Sequence, residues 1–337
     1  MNATKILLLF LLFATQVVFG QADLHEWTNI GGTTIKAKFV RADAEAVTLF
    51  MNGRNFVVKL SDLKPDSQAL VRKLSSPVPA IEPKSAAKEK KSFPEIRVTK
   101  ADWGGASLRD IGKVLNSSAR QLWPHASQEE LKPIIVDRSR TGPIVLFRRG
   151  NEGQYIVRLD THKTFWCQYA FQFSHELCHI LCGYKAGARD NLWFEESLCE
   201  TASLFAMRRM RKEWDKEPPY PNWKGYSPSL EKYAQERLDQ HAWPDSLTVA
   251  EWYQRNKEKL KENPTDREKN TTIATKLLPF FEQRPANWGA VAFLNTHKTK
   301  ASRSFSTYLA DWKKACKLSG QKDFVEKISR MFGMEKS

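Results

Sequence analysis

The sequence has few cysteines and only one long apolar run, and each shortage excludes a class of protein. Five cysteines in 337 residues are too few for a disulfide scaffold, and their odd number leaves at least one thiol without an intrachain partner: Cys167, Cys178, Cys182, Cys199 and Cys316. No segment beyond the N-terminal run is long and apolar enough to span a bilayer. No internal repeat is present. With 41% apolar residues, eleven Trp and nineteen Phe, the chain is predicted to be globular.

The apolar run lies at the N-terminus and predicts a secretory signal peptide over residues 1–22. Lys5 precedes an unbroken apolar stretch over residues 6–14, and Ala22 supplies a small residue for cleavage. A membrane anchor needs about 18 apolar residues, and Thr15 interrupts this run too early. We therefore expect an exported, soluble protein that is periplasmic or extracellular after cleavage.

The formal net charge is +15, but the positive residues are scattered along the chain. No recognised nucleic-acid-binding motif accompanies them, so nucleic acid is not an expected partner. A weak contact with an anionic envelope surface is compatible with this charge. The sequence does not determine an oligomeric state.

Residues 23–75 carry the pattern of a small antiparallel β-barrel. The segments "TTIKAKFVRAD", "AVTLFMN" and "GRNFVVKLSDL" alternate apolar and polar residues, and Asn52-Gly53 predicts a hairpin turn. Ser61 is a candidate cap for a short helix that closes the domain. This stretch resembles the small SH3-like homology domain found in exported planctomycete-type proteins, which implies a binding or spacer module. Residues 76–95 are rich in Pro and Lys and predict an extended linker.

Residues 96–337 predict a domain of the α+β class. Ser107 is a candidate cap for a helix over "SLRDIGKVLNSSARQLW". Three strands are expected at "PIIVDRS", "GPIVLFRRG" and "GQYIVRLD", the last two joined by a turn with Gly150 and Gly153. Mostly helical segments follow. The order of helix, strands and helices favours a small sheet packed with helices.

The motif "HELCH" at residues 175–179 carries the chemistry. On a helix, His175 and His179 lie one turn apart on one face, so both imidazoles can bind one zinc ion. Glu176 points about 100° away from His175, where it can reach a zinc-bound water and take its proton. The five-residue pattern alone also arises by chance, so a third ligand is needed to support the site.

The segment "LWFEESLCETAS" supplies candidates for that third ligand. Gly183 can end the first helix, and Asp190 or Asn191 can cap a second one that folds back beside it. Glu196 and Glu200 lie four residues apart on one face of the second helix. One carboxylate can complete the zinc sphere and leave a position for water, while the other accepts a hydrogen bond from a ligating imidazole. Glu195 competes with Glu196 for the ligand role.

The two helices resemble those of the gluzincin metallopeptidases, in which H-E-x-x-H is followed by a helix with a glutamate ligand. The resemblance implies a zincin-like fold and one zinc ion per chain held by His175, His179 and Glu196. It also implies that Glu176 is the catalytic base, that Glu200 is the hydrogen-bond partner of a ligand, and that the substrate is a peptide or protein. "WFEES" is similar to the W-L-N-E-G segment of the aminopeptidase branch, but its Glu195 and Ser197 depart from that pattern, so exopeptidase activity is not implied.

Several alternatives stay open at this point. A Cys2His2 structural zinc site on one helix would make a poor tetrahedron, so Cys178 is interpreted as a packing residue. A disulfide from Cys199 to Cys178 or Cys182 is feasible after export. The donor for the developing oxyanion is undetermined among four candidates: Tyr226, Tyr233, His241 and Tyr253. A catalytically silent zinc-binding protein and an envelope-surface adhesion module are the rival functions.

Overall fold

A computed structural model describes residues 24–43, 45–52, 54–75, 91–244 and 246–334. The chain divides into two compact units, an N-terminal unit of residues 1–88 and a C-terminal unit of residues 89–337. The predicted signal peptide, residues 1–22, lies outside the described residues, as does most of the predicted linker at 76–95. Within the described part, no helix has the length and apolar character needed to cross a membrane.

The N-terminal unit is an antiparallel sheet followed by one helix. Its elements are β1 (His25–Thr28), β2 (Thr34–Ala42), β3 (Ala46–Met51), β4 (Arg54–Lys59) and α1 (Pro65–Ser75). The strands pair in chain order. Asn52 has a φ of 50°, as the predicted turn between β3 and β4 requires. A core of six buried apolar residues holds the unit together: Trp27, Ala37, Val47, Leu49, Leu63 and Val71.

Two details of this unit differ from the sequence prediction. The sheet is open among the described residues, with β1 and β4 at its edges, so the closed barrel expected there is not formed. The final helix begins at Pro65 and not at Ser61, because residues 60–62 form a separate 3₁₀ turn. Proline suits a first helical turn because its φ is already helical and its missing N–H has no partner there anyway.

The sheet of the C-terminal unit has four short strands in the order β5-β6-β8-β7. They are β5 (Ile96–Val98), β6 (Ile134–Arg138), β7 (Ile144–Val145) and β8 (Tyr155–Leu159). β5, β6 and β8 are parallel, whereas β7 runs antiparallel to β8. The three predicted strands are confirmed, although "GPIVLFRRG" contributes only two residues, and β5 was not predicted. Gly142, with a φ of 100°, and Pro143 precede β7 and delay its start.

Helices make up the rest of this unit, and the α+β class predicted from the sequence is confirmed. They are α2 (Leu108–Leu122), α3 (Trp166–Leu181), α4 (Leu192–Lys216), α5 (Ser227–Gln240), α6 (Val249–Glu262), α7 (Arg267–Gln283), α8 (Trp288–Val291), α9 (Phe305–Ala315) and α10 (Ser319–Met331). The predicted cap of α2 is confirmed, since the side chain of Ser107 accepts a hydrogen bond from the N–H of Asp110. Helix α3 is central, and every residue in it except Gln168 and Gln172 is buried.

The turn between α3 and α4 sets the two helices side by side. Gly183 follows α3 with a φ of 73°, as expected of a residue that ends a helix. Asn191 occupies the N-cap position of α4, but its side chain makes no capping bond and instead donates to the carbonyl of Arg303 at 3.0 Å. Asp190 accepts from Ser302 at 2.7 Å. The predicted capping bond is therefore wrong, and these side chains attach the turn to residues 302–303 instead.

Candidate metal centre

Helix α3 places three polar side chains inside the protein core. His175, Glu176 and His179 are 7%, 3% and 5% exposed, and the two imidazole rings lie 5.2 Å apart between centroids. The rest of α3 is almost entirely buried as well, so this helix has no solvated face on which polar residues would be expected. Burying three such groups costs free energy unless each one finds a partner.

Helix α4 provides the carboxylate that faces both histidines. Oε2 of Glu196 lies 3.1 Å from Nε2 of His175, and Oε1 lies 3.6 Å from Nε2 of His179. Burial alone would raise the pKa of Glu196, but the hydrogen bonds to the two imidazoles lower it below its usual value. The structure thus brings together the three residues that the sequence predicted as ligands.

Glu195, the competing candidate, lies on the other side of His179. Its Oε1 is 2.8 Å from Nδ1 of His179, while its Oε2 accepts hydrogen bonds from Asn295 at 2.9 Å and Lys298 at 3.2 Å. Burial opposes the charged form, yet the hydrogen bond to His179 and the charge of Lys298 keep the pKa of Glu195 below its usual value. With Oε2 occupied by two donors, Oε1 is left to orient the imidazole.

Sequence reasoning missed Asn295 and Lys298. They lie about a hundred residues beyond Glu195, in the segment between α8 and α9, and no local pattern connects them to the motif. Tyr308 extends the same network, since its hydroxyl donates to Oδ1 of Asn295 at 3.4 Å. Of these residues, only Lys298 carries a positive charge that offsets the buried carboxylate.

Glu200 lies near His175 without bonding to it. Its Oε2 is 4.0 Å from Nδ1 of His175, and neither atom has a hydrogen-bond partner among the described residues, although both are buried. The other oxygen accepts a long hydrogen bond of 3.5 Å from Thr271. The predicted partner of a ligating imidazole is therefore in place, but the bond itself is not made.

Glu176 reaches away from α4 toward the edge of the sheet. Its Oε2 accepts a hydrogen bond of 2.7 Å from the backbone N–H of Val145 in β7. Burial raises the pKa of Glu176 above its ordinary value, against the opposing effect of the two histidines. A carboxyl group with a raised pKa holds a proton more readily than one in water, as acid–base chemistry near neutral pH requires.

Tyr184 is a second residue of the site that sequence reasoning missed. Its hydroxyl donates to the carbonyl of Val145 at 2.6 Å, and its ring lies 5.8 Å from that of His179 and stacks on Phe147 at 4.3 Å. Burial raises the pKa of its phenol, so the hydroxyl stays protonated. The only feature of the sequence that pointed to Tyr184 was its position five residues after His179. A tyrosine in the turn after a helix is common, so this position alone did not identify it.

The four residues named from the sequence as oxyanion donors lie elsewhere. Tyr226 contacts Cys167 at 3.4 Å, Tyr233 packs against Phe171, and Tyr253 stacks on Trp193. His241 follows the last residue of α5. In the described part of the chain, no hydrogen bond or ring contact joins any of the four to the motif on α3. Tyr184 is better placed than all of them.

A buried cysteine completes the list of donors. A nitrogen of His175, a nitrogen of His179 and the sulfur of Cys199 all lie within 4.8 Å of one another, and the group could hold a metal ion. Cys178 and Cys182 of α3 are buried too. All five cysteines are free, so the disulfide considered from Cys199 to α3 is not formed.

The centre thus combines two imidazoles, a facing carboxylate, a buried thiol and a separate buried carboxyl group. Imidazole suits zinc, copper, iron and nickel, whereas carboxylate and thiolate differ in the ions they favour. The chain matches no family model, no curated protein and no solved structure. Its function therefore has to be inferred from these side chains.

Proposed function

We propose that this chain is a zinc-dependent peptidase that binds one zinc ion through His175, His179 and Glu196. The observation that carries the proposal is the direction of the histidines, because Nε2 of each faces a different oxygen of the Glu196 carboxylate, at 3.1 and 3.6 Å. Two imidazoles and one carboxylate are the donor set of several catalytic zinc sites, which keep a further position for water.

The surroundings of the histidines support a metal at this point. A ligating imidazole usually donates its second ring N–H to a carboxylate or carbonyl, which fixes the tautomer. Glu195 accepts from Nδ1 of His179, and Glu200 is the acceptor nearest to Nδ1 of His175. The lack of a partner at His175 Nδ1 and Glu200 Oε2 suits a site whose last hydrogen bond forms when the ion is bound.

A zinc ion in such a site polarises a carbonyl and lowers the pKa of a bound water to about 7. Glu176 accepts the proton of the attacking water and delivers it to the amine that leaves. Its buried carboxyl, with a raised pKa, suits both transfers. The hydroxyl of Tyr184 is the donor that we assign to the developing oxyanion, because it is protonated and lies beside His179. To donate there it exchanges its hydrogen bond to the carbonyl of Val145 for one to the substrate.

Strand β7 supports a peptide as the substrate. It is the antiparallel edge strand, and both backbone groups of Val145 are bonded to side chains of the site, Glu176 and Tyr184. An extended peptide that adds to this edge would replace these two side-chain bonds with main-chain hydrogen bonds, and would release the carboxylate of Glu176 and the hydroxyl of Tyr184 toward the bound substrate. Ile144, next to Val145, and Phe147, two residues after it, are 45% and 57% exposed and offer apolar contacts for substrate side chains.

The finer fold assignments belong to the same proposal. A mixed sheet with an antiparallel edge beside a helix with the H-E-x-x-H motif supports a zincin-like C-terminal unit. The four-stranded meander followed by a short helix supports an SH3-like N-terminal unit that acts as a binding or spacer module. We propose that the protein is exported, on the basis of the predicted signal peptide at residues 1–22.

The proposal is tested by measuring zinc content and the hydrolysis of casein or a peptide library. The wild-type protein, Glu176→Gln and the exposed control Glu26→Gln are compared. We expect about one zinc per chain in all three, with chelator-sensitive cleavage in the wild type and the control only. Zinc without cleavage in any variant would favour the catalytically silent binding protein. A lack of zinc in all three would refute the proposal.

A further inference from the structure

The two histidines have a choice of third donor on α4. Glu196 presents its carboxylate to their Nε2 atoms, and Cys199, almost one turn further along the helix, presents its sulfur within 4.8 Å of a nitrogen of each. The proposed peptidase ion uses only the first of these donors. Nothing in that proposal accounts for a thiol buried this close to two candidate ligands.

Cys199 is available as a ligand. It forms no disulfide, and it is fully buried in the contact between α3 and α4. Its sulfur, a nitrogen of His175 and a nitrogen of His179 all lie within 4.8 Å of one another, close enough for one ion to contact all three.

The thiol of Cys199 and the carboxylate of Glu196 favour different metal ions. A thiolate is a soft ligand that favours ions such as Cu⁺ and Cd²⁺, whereas a carboxylate favours harder ions. We propose that His175, His179 and Cys199 form an alternative site for a thiophilic metal ion. Because both sites use the same two histidines, a thiophilic ion bound there excludes the hydrolytic ion. This consequence rests on the proposed function, whereas the binding itself does not.

Binding at Cys199 is a ligand exchange without any change in oxidation state. The S–H bond of Cys199 breaks as the sulfur–metal bond forms, and the proton leaves to solvent.

The neighbouring thiols provide matched controls. Cys178 and Cys182 lie on α3, are buried as completely as Cys199, and interact with it through their sulfhydryl groups. They are not members of the group that includes the two histidines. Replacing either of them by serine removes a sulfur from the same part of the core and leaves the proposed ligands in place.

The test is a cadmium titration of the full-length, metal-free protein, followed through the ultraviolet charge-transfer absorption of a cadmium–thiolate bond. We expect one equivalent of Cd²⁺ to produce this absorption in the wild type, in Cys178→Ser and in Cys182→Ser. In Cys199→Ser the absorption should disappear. Cd²⁺ should also bind at least about tenfold to a hundredfold more weakly, because removing a residue that only hydrogen-bonds to a metal ligand already weakens binding by that factor. Cys199→Ala and circular dichroism check that the loss is not a folding defect.

Each other outcome overturns a different statement. Cadmium bound by the wild type without thiolate absorption would refute the alternative site and leave the peptidase proposal intact. Absorption that persists in Cys199→Ser but is lost in Cys178→Ser or Cys182→Ser would assign the thiolate to α3 and refute Cys199. Zinc content measured on the same samples decides the proposed function separately, since a protein that binds cadmium but no zinc would refute only the peptidase.

Discussion

Lys36 and Glu26 in the N-terminal sheet form an ion pair of 3.4 Å, and their side chains are 70% and 66% exposed. Lys298 and Glu195 beside the candidate metal centre form one of 3.2 Å, but their side chains are 11% and 1% exposed. A lysine and a glutamate thus form an ion pair at nearly the same distance in solvent and in the protein core. The exposed pair contributes little to folding stability, whereas removing one partner of the buried pair is strongly destabilising.

The difference extends to all the carboxylates of the two regions. In the described part of the N-terminal unit every acidic residue is exposed: Glu26, Asp43, Glu45, Asp62 and Asp66. Between α3 and α4, the carboxylates of four glutamates lie in or beside the core: Glu176, Glu195, Glu196 and Glu200. A buried carboxylate costs free energy, so four of them on two adjacent helices are not explained by stability. The proposed zinc site gives each of them a role, as ligand, base or hydrogen-bond partner of a ligand.

The largest effect should come from removing the buried base. Glu176→Gln keeps the size of the side chain but cannot accept a proton, so hydrolysis should fall by roughly 10²- to 10⁴-fold, the usual contribution of general acid–base catalysis. Since burial raises the pKa of Glu176, the charged form is disfavoured in the fold, and the variant should also be more stable than the wild type at neutral pH. Steady-state rates and thermal melting measure both effects.

The exposed carboxylate of Glu26 is the control for that substitution. Glu26→Gln should change neither the rate nor the melting temperature measurably, because its charge is solvated. A Glu176→Gln protein that retains full activity would show that the buried carboxyl is not the base. A Glu176→Gln protein with lower stability would show that its hydrogen bond to Val145 outweighs the burial of the charge.

The second effect concerns the buried pair. Lys298→Met removes one charged donor from the buried carboxylate of Glu195 and leaves protonated His179 as its cationic partner, which should lower the free energy of unfolding by about 1.5–3 kcal/mol, the usual contribution of a hydrogen bond to a charged group. The orientation of His179 should loosen as well, and zinc affinity should fall about 10- to 100-fold. Urea unfolding and competition with a chelator provide the two measurements.

A second substitution distinguishes a buried charge from lost packing. Glu195→Gln in the Lys298→Met background removes the buried negative charge that has lost one of its donors, so it should restore part of the stability while zinc binding stays weak. If Lys298→Met lowers stability by less than about 1 kcal/mol, the buried pair behaves like an exposed one. The contrast between the two regions would then not follow from burial.

Local sequence signals predicted much of this fold. The cap at Ser107, the end of α3 before Gly183 and the turn at Asn52 depend on neighbouring residues only, and each is found in the structure. Strands β6 and β8 were visible as short apolar runs between turn signals. The closed barrel was not formed, and β5 was missed, because strand closure and pairing depend on residues far apart in the chain.

The candidate site divides in the same way. Helical spacing placed His175 and His179 on one face and put glutamates of the next helix beside them, and the resemblance to the gluzincin helices favoured Glu196, which faces both histidines in the structure. It could not find Asn295, which reaches Glu195 from about a hundred residues away. Nor could helical spacing identify Tyr184 among the tyrosines, because Tyr184 is brought to the site by its hydrogen bond to Val145 on β7.

A third, smaller effect is the pH dependence that the buried carboxylates impose on His179. Burial would lower its pKa, but hydrogen bonds to Glu195 and Glu196 raise it well above its usual value in the metal-free protein. The stability contributed by protonated His179 is therefore full below the unfolded pKa of about 6.5 and is lost as the pH rises through the folded pKa.

Zinc must displace that proton, so zinc affinity should change in the opposite direction and rise with pH. The expected slope is about tenfold per pH unit below the folded pKa of His179. Chelator competition at several pH values between about 6 and 8 measures it. Glu195→Gln should flatten the slope by lowering the pKa of His179, whereas Glu26→Gln should not. A slope that is equally steep in both variants would remove Glu195 as the cause.

The smallest effect should come from the exposed pair, and it makes the comparison quantitative. Lys36→Met removes the cation from Glu26 just as Lys298→Met removes it from Glu195, but the carboxylate that remains is in water. The free energy of unfolding should therefore change by less than about 0.5 kcal/mol, and added salt should abolish even that. Urea unfolding of both variants at low and high salt gives the test. If Lys36→Met were as destabilising as Lys298→Met, then packing of the aliphatic stems, and not the burial of charge, would account for both results.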